Sequence, residues 1–115
     1  MRNKIVVIDG IRVNFIEVDG VARVSTIDIA KVFKTRNKVL MGKVETFIER
    51  SKTIIGDRIH DEIKLVKHGN TKVYLLNYDS FGIFMSELPK RKNMFVKCLG
   101  FLTTFGDLKK NQNYN

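Results

Sequence analysis

The chain has 115 residues, 43% of them apolar and 29% charged, ordinary values for a folded domain that exclude collagen-like, low-complexity and wholly disordered classes. Its length suits one domain with a hydrophobic core of its own. With 21 Lys and Arg against 12 Asp and Glu, the formal charge is +9, which points to a polyanionic partner.

Met1-Arg2-Asn3-Lys4 leads into a short apolar run over 5–8 with no cleavage-like site, and no apolar stretch approaches the roughly 20 residues of a membrane span. Neither secretion nor membrane insertion is expected. Residues 5–8, 11–18 and 21–24 are rich in β-branched side chains. They are separated by Asp9-Gly10 and Asp19-Gly20, pairs that tolerate the positive φ of tight hairpin turns. A three-stranded meander is predicted. Ile16 and Val18 break the alternation of Ile11, Val13 and Phe15, which predicts a bulge or burial on both faces.

At Ser25 the period changes to that of a helix. Ser25 is placed to cap free amides, with Asp28 three residues on as its capping-box partner, and a helix is predicted over 26–33. Ile27, Ala30 and Phe33, with Ile29, form its apolar stripe. After Lys34-Thr35-Arg36, Leu40, Val44 and Phe47 follow helical spacing with Met41 and Ile48 beside them. Two helices joined by so short a turn predict a helix-turn-helix, whose second helix offers its N-terminal side chains to a DNA groove. Arg36, Asn37 and Lys38 stand there, Lys43 lies off the buried stripe, and Gly42 leaves the opposite face open. Residues 31–50 carry six basic side chains against two acidic ones.

Residues 51–61 show no period and contain Gly56-Asp57, so a loop is predicted. From 62 to 77, Ile63 and Leu65, then Val73 and Leu75, alternate with polar residues around His68-Gly69-Asn70. This predicts a hairpin with a basic tip at Lys67 and Lys72, in the place of the wing of a winged helix. Asp79 is placed to cap a helix through Leu88 that ends at Pro89, with Phe81, Phe84 and Met85 at helical spacing. Residues 88–98 hold Lys90, Arg91, Lys92 and Lys97 and no acid. A last helix is predicted over 92–109, with Phe95, Leu99, Leu102 and Phe105 on one stripe and Met94, Cys98, Phe101 and Leu108 beside it. One stripe suffices for intradomain packing, so the second, with Phe101, must bury either deeper in the same core or against another copy, and a homodimer through this helix is the expectation. The domain is expected over 1–110, with a disordered tail over 111–115.

Catalytic signatures are missing. Gly42-Lys43 lacks phosphate-loop spacing, and neither GxSxG nor GxGxxG occurs. Cys98, the only cysteine, allows no intrachain disulfide and suits a reducing cytosol, and its apolar surroundings favour packing over nucleophilic work. His60 and His68 form no ligand pattern. The helical period of Phe81, Phe84, Phe95, Phe101 and Phe105 marks core residues rather than base-stacking platforms. No enzyme, metal or cofactor is expected.

Asp19-Gly20 followed by Val24-Ser25-Thr26-Ile27-Asp28-Ile29-Ala30 resembles the start of the phage regulatory protein Rha domain. Val73-Tyr74-Leu75-Leu76-Asn77-Tyr78-Asp79-Ser80-Phe81 is similar to that family's later strand and the aspartate-aromatic start of its next helix, and Phe101 and Phe105 fall where its last helix carries aromatics. Asn37 stands where the family often has His, Gly42 where it often has Arg, and Cys98 where it has Lys. The resemblance spans about residues 18–106. It implies an α+β, winged helix-turn-helix-like domain of a phage or prophage transcriptional regulator acting in a bacterial cytoplasm, akin to KilA-N and BRO-type domains. In that setting Arg36, Asn37 and Lys38 are expected to read base edges, and Lys43, Lys67, Lys72, Lys90, Arg91 and Lys92 to neutralise phosphates of duplex DNA. The alternative is an antirepressor-like module that binds a host or phage protein.

Overall fold

Asp9 (φ 51°) with Gly10 (φ 79°), and Asp19 (φ 53°) with Gly20 (φ 79°), adopt the paired left-handed conformations of two-residue hairpin turns. In the computed structural model, which describes residues 3–112, they fold β1 (Asn3–Ile8), β2 (Ile11–Val18) and β3 (Val21–Ser25) into the expected meander. The register runs unbroken from Asn3↔Ile16 to Ile8↔Ile11 and from Phe15↔Val24 to Val18↔Val21. No bulge interrupts β2. The broken alternation reflects its second face, where Ile16 and Val18 are half-buried.

A second hairpin, β4 (Ile63–His68) and β5 (Thr71–Leu76), completes an antiparallel sheet of order β1-β2-β3-β5-β4. The two hairpins join where β3 meets β5, through Val24↔Leu76 and Ser25↔Leu75. This seam is reinforced by Arg23, only 3% exposed. Its Nη1 donates to the carbonyls of Glu62 (2.8 Å) and Leu75 (3.1 Å), and its Nη2 to that of Asp61 (2.7 Å).

Helices α1 (Thr26–Val32) and α2 (Asn37–Ile55) follow β3. Ser25 Oγ accepts the Asp28 N–H at 3.3 Å as expected, but the Asp28 carboxylate accepts the Asn14 N–H at 2.8 Å. Asn14 lies just past the last β2–β3 pair, where β3 has turned away into α1, and Asp28 satisfies the amide that the ladder leaves over. The loop expected over 51–61 is helical. α2 runs to Ile55, a 3₁₀ turn covers Gly56–Arg58, and a single turn, α3, spans Ile59–Glu62. The end of α2 projects past the core, leaving Ile54 84% exposed, so no apolar period marks it. Gly56 stops it at φ 64°, ψ −147°, a conformation essentially confined to glycine.

α4 (Tyr78–Glu87) is capped by Asn77, not Asp79. Asn77 Oδ1 accepts the Ser80 N–H and Ser80 Oγ accepts the Asn77 N–H, both at 2.9 Å. α5 (Met94–Gln112) starts two residues later and ends three residues later than expected. Residues 111 and 112 are therefore helical, and the rest of the expected tail, 113–115, lies outside the described residues.

All four main helices share one core with the sheet. At its centre Phe15 meets Phe105 edge-on at 4.9 Å, and Phe81 meets Phe101 at 4.8 Å between ring centres. The expected division of α5 holds only in part: Phe105 is buried and Leu102 half-buried, but Phe101 of the second stripe is fully buried too, while Phe95 is 78% and Leu99 50% exposed. Phe101 therefore cannot be the dimer contact, and Phe95 is not a core residue. Both stripes have helical spacing, and what chooses between them is Gly100. A Cβ there would stand 2.9 Å from Ile8 Cγ2, so α5 can rest on β1 only with this face inward.

Three stability effects follow. Arg23→Met, which keeps the apolar stem but strands three carbonyls, is expected to cost about 2–4 kcal/mol in urea melts. Gly100→Ala gains helix propensity but presses on a stiff, buried Ile8, and is expected to lose about 1–2 kcal/mol. Gly42→Ala, with open space at its Cβ, is expected to gain about 0.5–1 kcal/mol in the same melts.

Candidate nucleic-acid interface

The α1–α2 turn is closed by two hydrogen bonds, from Lys34 N to Lys31 O at 3.3 Å and from Thr35 N to Ala30 O at 2.9 Å, the pattern of a Schellman motif. Its left-handed residue is Lys34, φ 55°, where glycine is the least strained choice. Thr26, fully buried, ties the helices to the second hairpin: its Oγ1 accepts the Tyr74 N–H at 3.3 Å and donates to Met41 Sδ at 3.4 Å.

α2 buries Leu40, Val44, Phe47 and Ile48. At 100° per residue its outward face in the first half is Lys38, Gly42 and Thr46, flanked by Val39 and Lys43. Arg36, the N-cap residue, and Lys38 and Lys43 are exposed. Asn37 is not on this face: it is half-buried, and its Oδ1 has neither solvent nor a hydrogen-bond partner. Its expected place among base-reading groups has no geometric support. Lys38 and Thr46 occupy the outward face, and the stripe spacing carries the signal, since Asn37 stands three residues before Leu40 on the buried side.

The turn between α4 and α5 meets the same half of α2. Lys43 and Arg91 line one narrow apolar cleft with Val39 and Leu88, and Lys90 and Lys92 are exposed beside Arg91. On the other side lies the second hairpin. Leu65 and Tyr74 face α2 across a groove that Glu45 and Glu49 also line. Lys67 and Lys72, direct register partners, continue the same face of the hairpin toward its tip. Burial, then Glu45 and Glu49, push the Tyr74 hydroxyl pKa up, so it remains a neutral donor at physiological pH. Lys43, Lys90, Arg91 and Lys92 thus flank the first half of α2 on one side, while the hairpin meets the middle of the helix, where Glu45 and Glu49 are exposed.

The fold uses a different set of cations for itself. Arg23 serves carbonyls, Arg50 pairs with Glu87 at 2.8 Å, and Lys52 and Lys64 approach Asp57 and Asp61 at 4.0 and 3.8 Å. Lys97 is buried, 3.8 Å from Asp9 and 5.6 Å above the Phe33 ring. It is thereby withdrawn from the basic run of 88–98. None of the ion pairs among the described residues involves Arg36, Lys38, Lys43, Lys67, Lys72, Lys90, Arg91 or Lys92.

Burial raises the pKa of the half-buried Cys98 thiol, which keeps it out of the reactive thiolate form. Among the described residues, no group of three or more His, Cys, Asp or Glu could hold a metal ion, and no helix is long and apolar enough to cross a membrane. What the described surface offers is unpaired cations around a helix end. No protein-family model, curated protein or solved structure matches the chain.

Lys34→Gly should relieve the left-handed strain and raise the unfolding free energy by about 1 kcal/mol in urea titration. A loss of stability would mean that the Lys34 side chain supports the turn.

Proposed function

We propose that the chain is a duplex DNA-binding regulator of winged helix-turn-helix character, the phage type that its likeness to the Rha strings implies. The connectivity supports this reading: β3, two helices in tandem, and a hairpin whose second strand returns to pair with β3 is the order of a winged helix, with the β1–β2 hairpin added at the sheet's other edge. The observation that carries it is the sorting of cations. Arg36, Lys38, Lys43, Lys90, Arg91 and Lys92, which make no ion pair among the described residues, gather at the exposed start of α2, with Lys67 and Lys72 on the hairpin, while Arg23, Arg50, Lys52, Lys64 and Lys97 are held by carbonyls, acids and a ring. Lys4, Arg12, Arg58 and Lys109 lie elsewhere and also make no ion pair among the described residues.

In this arrangement Lys38, with Arg36, reaches base edges, since a lysine or arginine in the major groove pairs with guanine acceptors. Gly42 lets the helix approach the duplex without a side chain in the way. Lys43 and the 90–92 cluster neutralise phosphates on one flank, and Lys67 and Lys72 at the wing do so on the other. Lys34 joins them, a cation held in a strained turn that glycine would fill at lower cost. Glu45 and Glu49 repel phosphate from the inner groove, so the first half of α2, not its length, enters the DNA.

Affinity for random duplex, read by fluorescence anisotropy, should fall by about 10³ or more between 50 and 200 mM salt for roughly six phosphate contacts. On a site selected from random duplexes, Lys38→Ala should cost about 1–3 kcal/mol and relax one base preference, whereas Lys72→Ala should weaken all sequences alike. Asn37→Ala should leave sequence preference unchanged. Equal losses on selected and random DNA from Lys38→Ala would remove α2 as the reading element. No duplex binding even at low salt would decide for an antirepressor-like protein-binding module, which the exposed apolar stripe of α5 also suits.

A further inference from the structure

On α5 the exposed stripe runs Phe95, Leu99, Leu102, Gly106, spaced four, three and four residues apart, the a/d spacing of a helix that packs on another helix. No charge interrupts it. Phe95 is 78% and Leu99 50% exposed, while a Cβ at Gly106 would meet nothing within 4 Å. Beside Leu102 the stripe opens into an apolar groove formed with Ile83 of α4 and Ile54 of α2, which are 58% and 84% exposed. One end of the stripe thus carries a protruding ring and the other a gap at Gly106, where the side chain is missing and the space above the backbone is open.

We infer that this face binds a second copy of the chain, with the two α5 helices antiparallel about a twofold axis near Gly100 and Phe101. The register that sets Leu99 against Leu102 of the second copy also sets Phe95 against Gly106 of the second copy, twice over by symmetry. Each ring then stands over the gap at the glycine of the other copy. Ile54, Ile83, Phe95, Val96, Leu99 and Leu102, at roughly 100 Å² each, supply about 600 Å² per copy, which reaches the lower end of specific interfaces. Ile54 stands eleven residues from Lys43 on α2, about 16 Å, so that end of the contact lies away from the cationic start of α2, whereas Phe95 follows the Lys90 to Lys92 cluster by three residues.

Sedimentation equilibrium at high micromolar concentration tests this, and duplex binding plays no part in the readout. The wild-type chain should sediment at twice its 13.3 kDa mass. Phe95→Asp should sediment at the single-chain mass with an unchanged far-ultraviolet spectrum, because Phe95 has no role in the core. Gly106→Leu, which fills the gap but strengthens the helix, should weaken self-association at least tenfold while raising the melting temperature of the monomer. A monomeric wild-type chain overturns the assignment. So does a dimer that survives both substitutions, since it would use another face.

Discussion

The guanidinium of Arg23 lies out of water and is held by three main-chain carbonyls, those of Asp61, Glu62 and Leu75. Burial pushes its pKa down, while the charges of Glu62, Asp19 and Asp61 push it back up, and an arginine remains cationic in either case. A buried cation answered only by carbonyls is costly, and its Nε lacks even that partner. Its contribution is geometric. Asp61 and Glu62 close α3, the connector that brings the chain back from α2 to β4, and Leu75 belongs to β5. Arg23 on β3 therefore fixes where the second hairpin sits, at a seam with little strand pairing of its own. Glu62 extends the clasp, since its carboxylate accepts from Asn77 Nδ2 at 2.8 Å and Asn77 caps α4. Sheet, second hairpin and C-terminal helices are oriented from one arginine outward.

Much of the fold is legible in the sequence because its signals are local. Asp-Gly turns, the Ser25 cap and the core stripe of α2 each act within a few residues of the feature they specify. The misreadings have several causes, long-range contact among them. Residues 51–55 are helical without an apolar face because nothing lies beneath them. Asn77 outcompetes Asp79 as a cap because Ser80 answers it from N3. Asp28 leaves its capping box because β2 presents a spare amide fourteen residues away in sequence. Neither Arg23 nor Lys97 carries any mark of burial in the sequence, since charged residues go inside only when remote partners are in place.

The candidate interface was legible as composition and less so as geometry. The basic tracts 36–43 and 90–92 do meet across the cleft of Lys43 and Arg91. The assignment of Asn37, one residue from Lys38, turns on a rotation of 100° about α2 that the stripe of Leu40 and Val44 settles. The placement of Glu45 and Glu49 gives the helix a polarity along its length, cationic at its start and anionic in its middle where it faces the hairpin. Such a helix meets a polyanion end-on, by its first turns. In the proposed reading that is also how a recognition helix would meet base edges.

The two glycines of α5 mark its two faces. Each weakens a helix interior by roughly 0.5–1 kcal/mol relative to alanine, and an explanation is due at both. At Gly100 it lies inside the domain, in the approach of Ile8 that only a missing Cβ allows. At Gly106 nothing in the domain approaches, so intradomain packing gives no reason for it. The same helix bears an aromatic ring left largely in water at its other end, another feature that folding alone does not require. Both are accounted for together if the ring and the gap are complementary halves of one contact, and a twofold axis is the simplest operation that makes a surface complementary to itself.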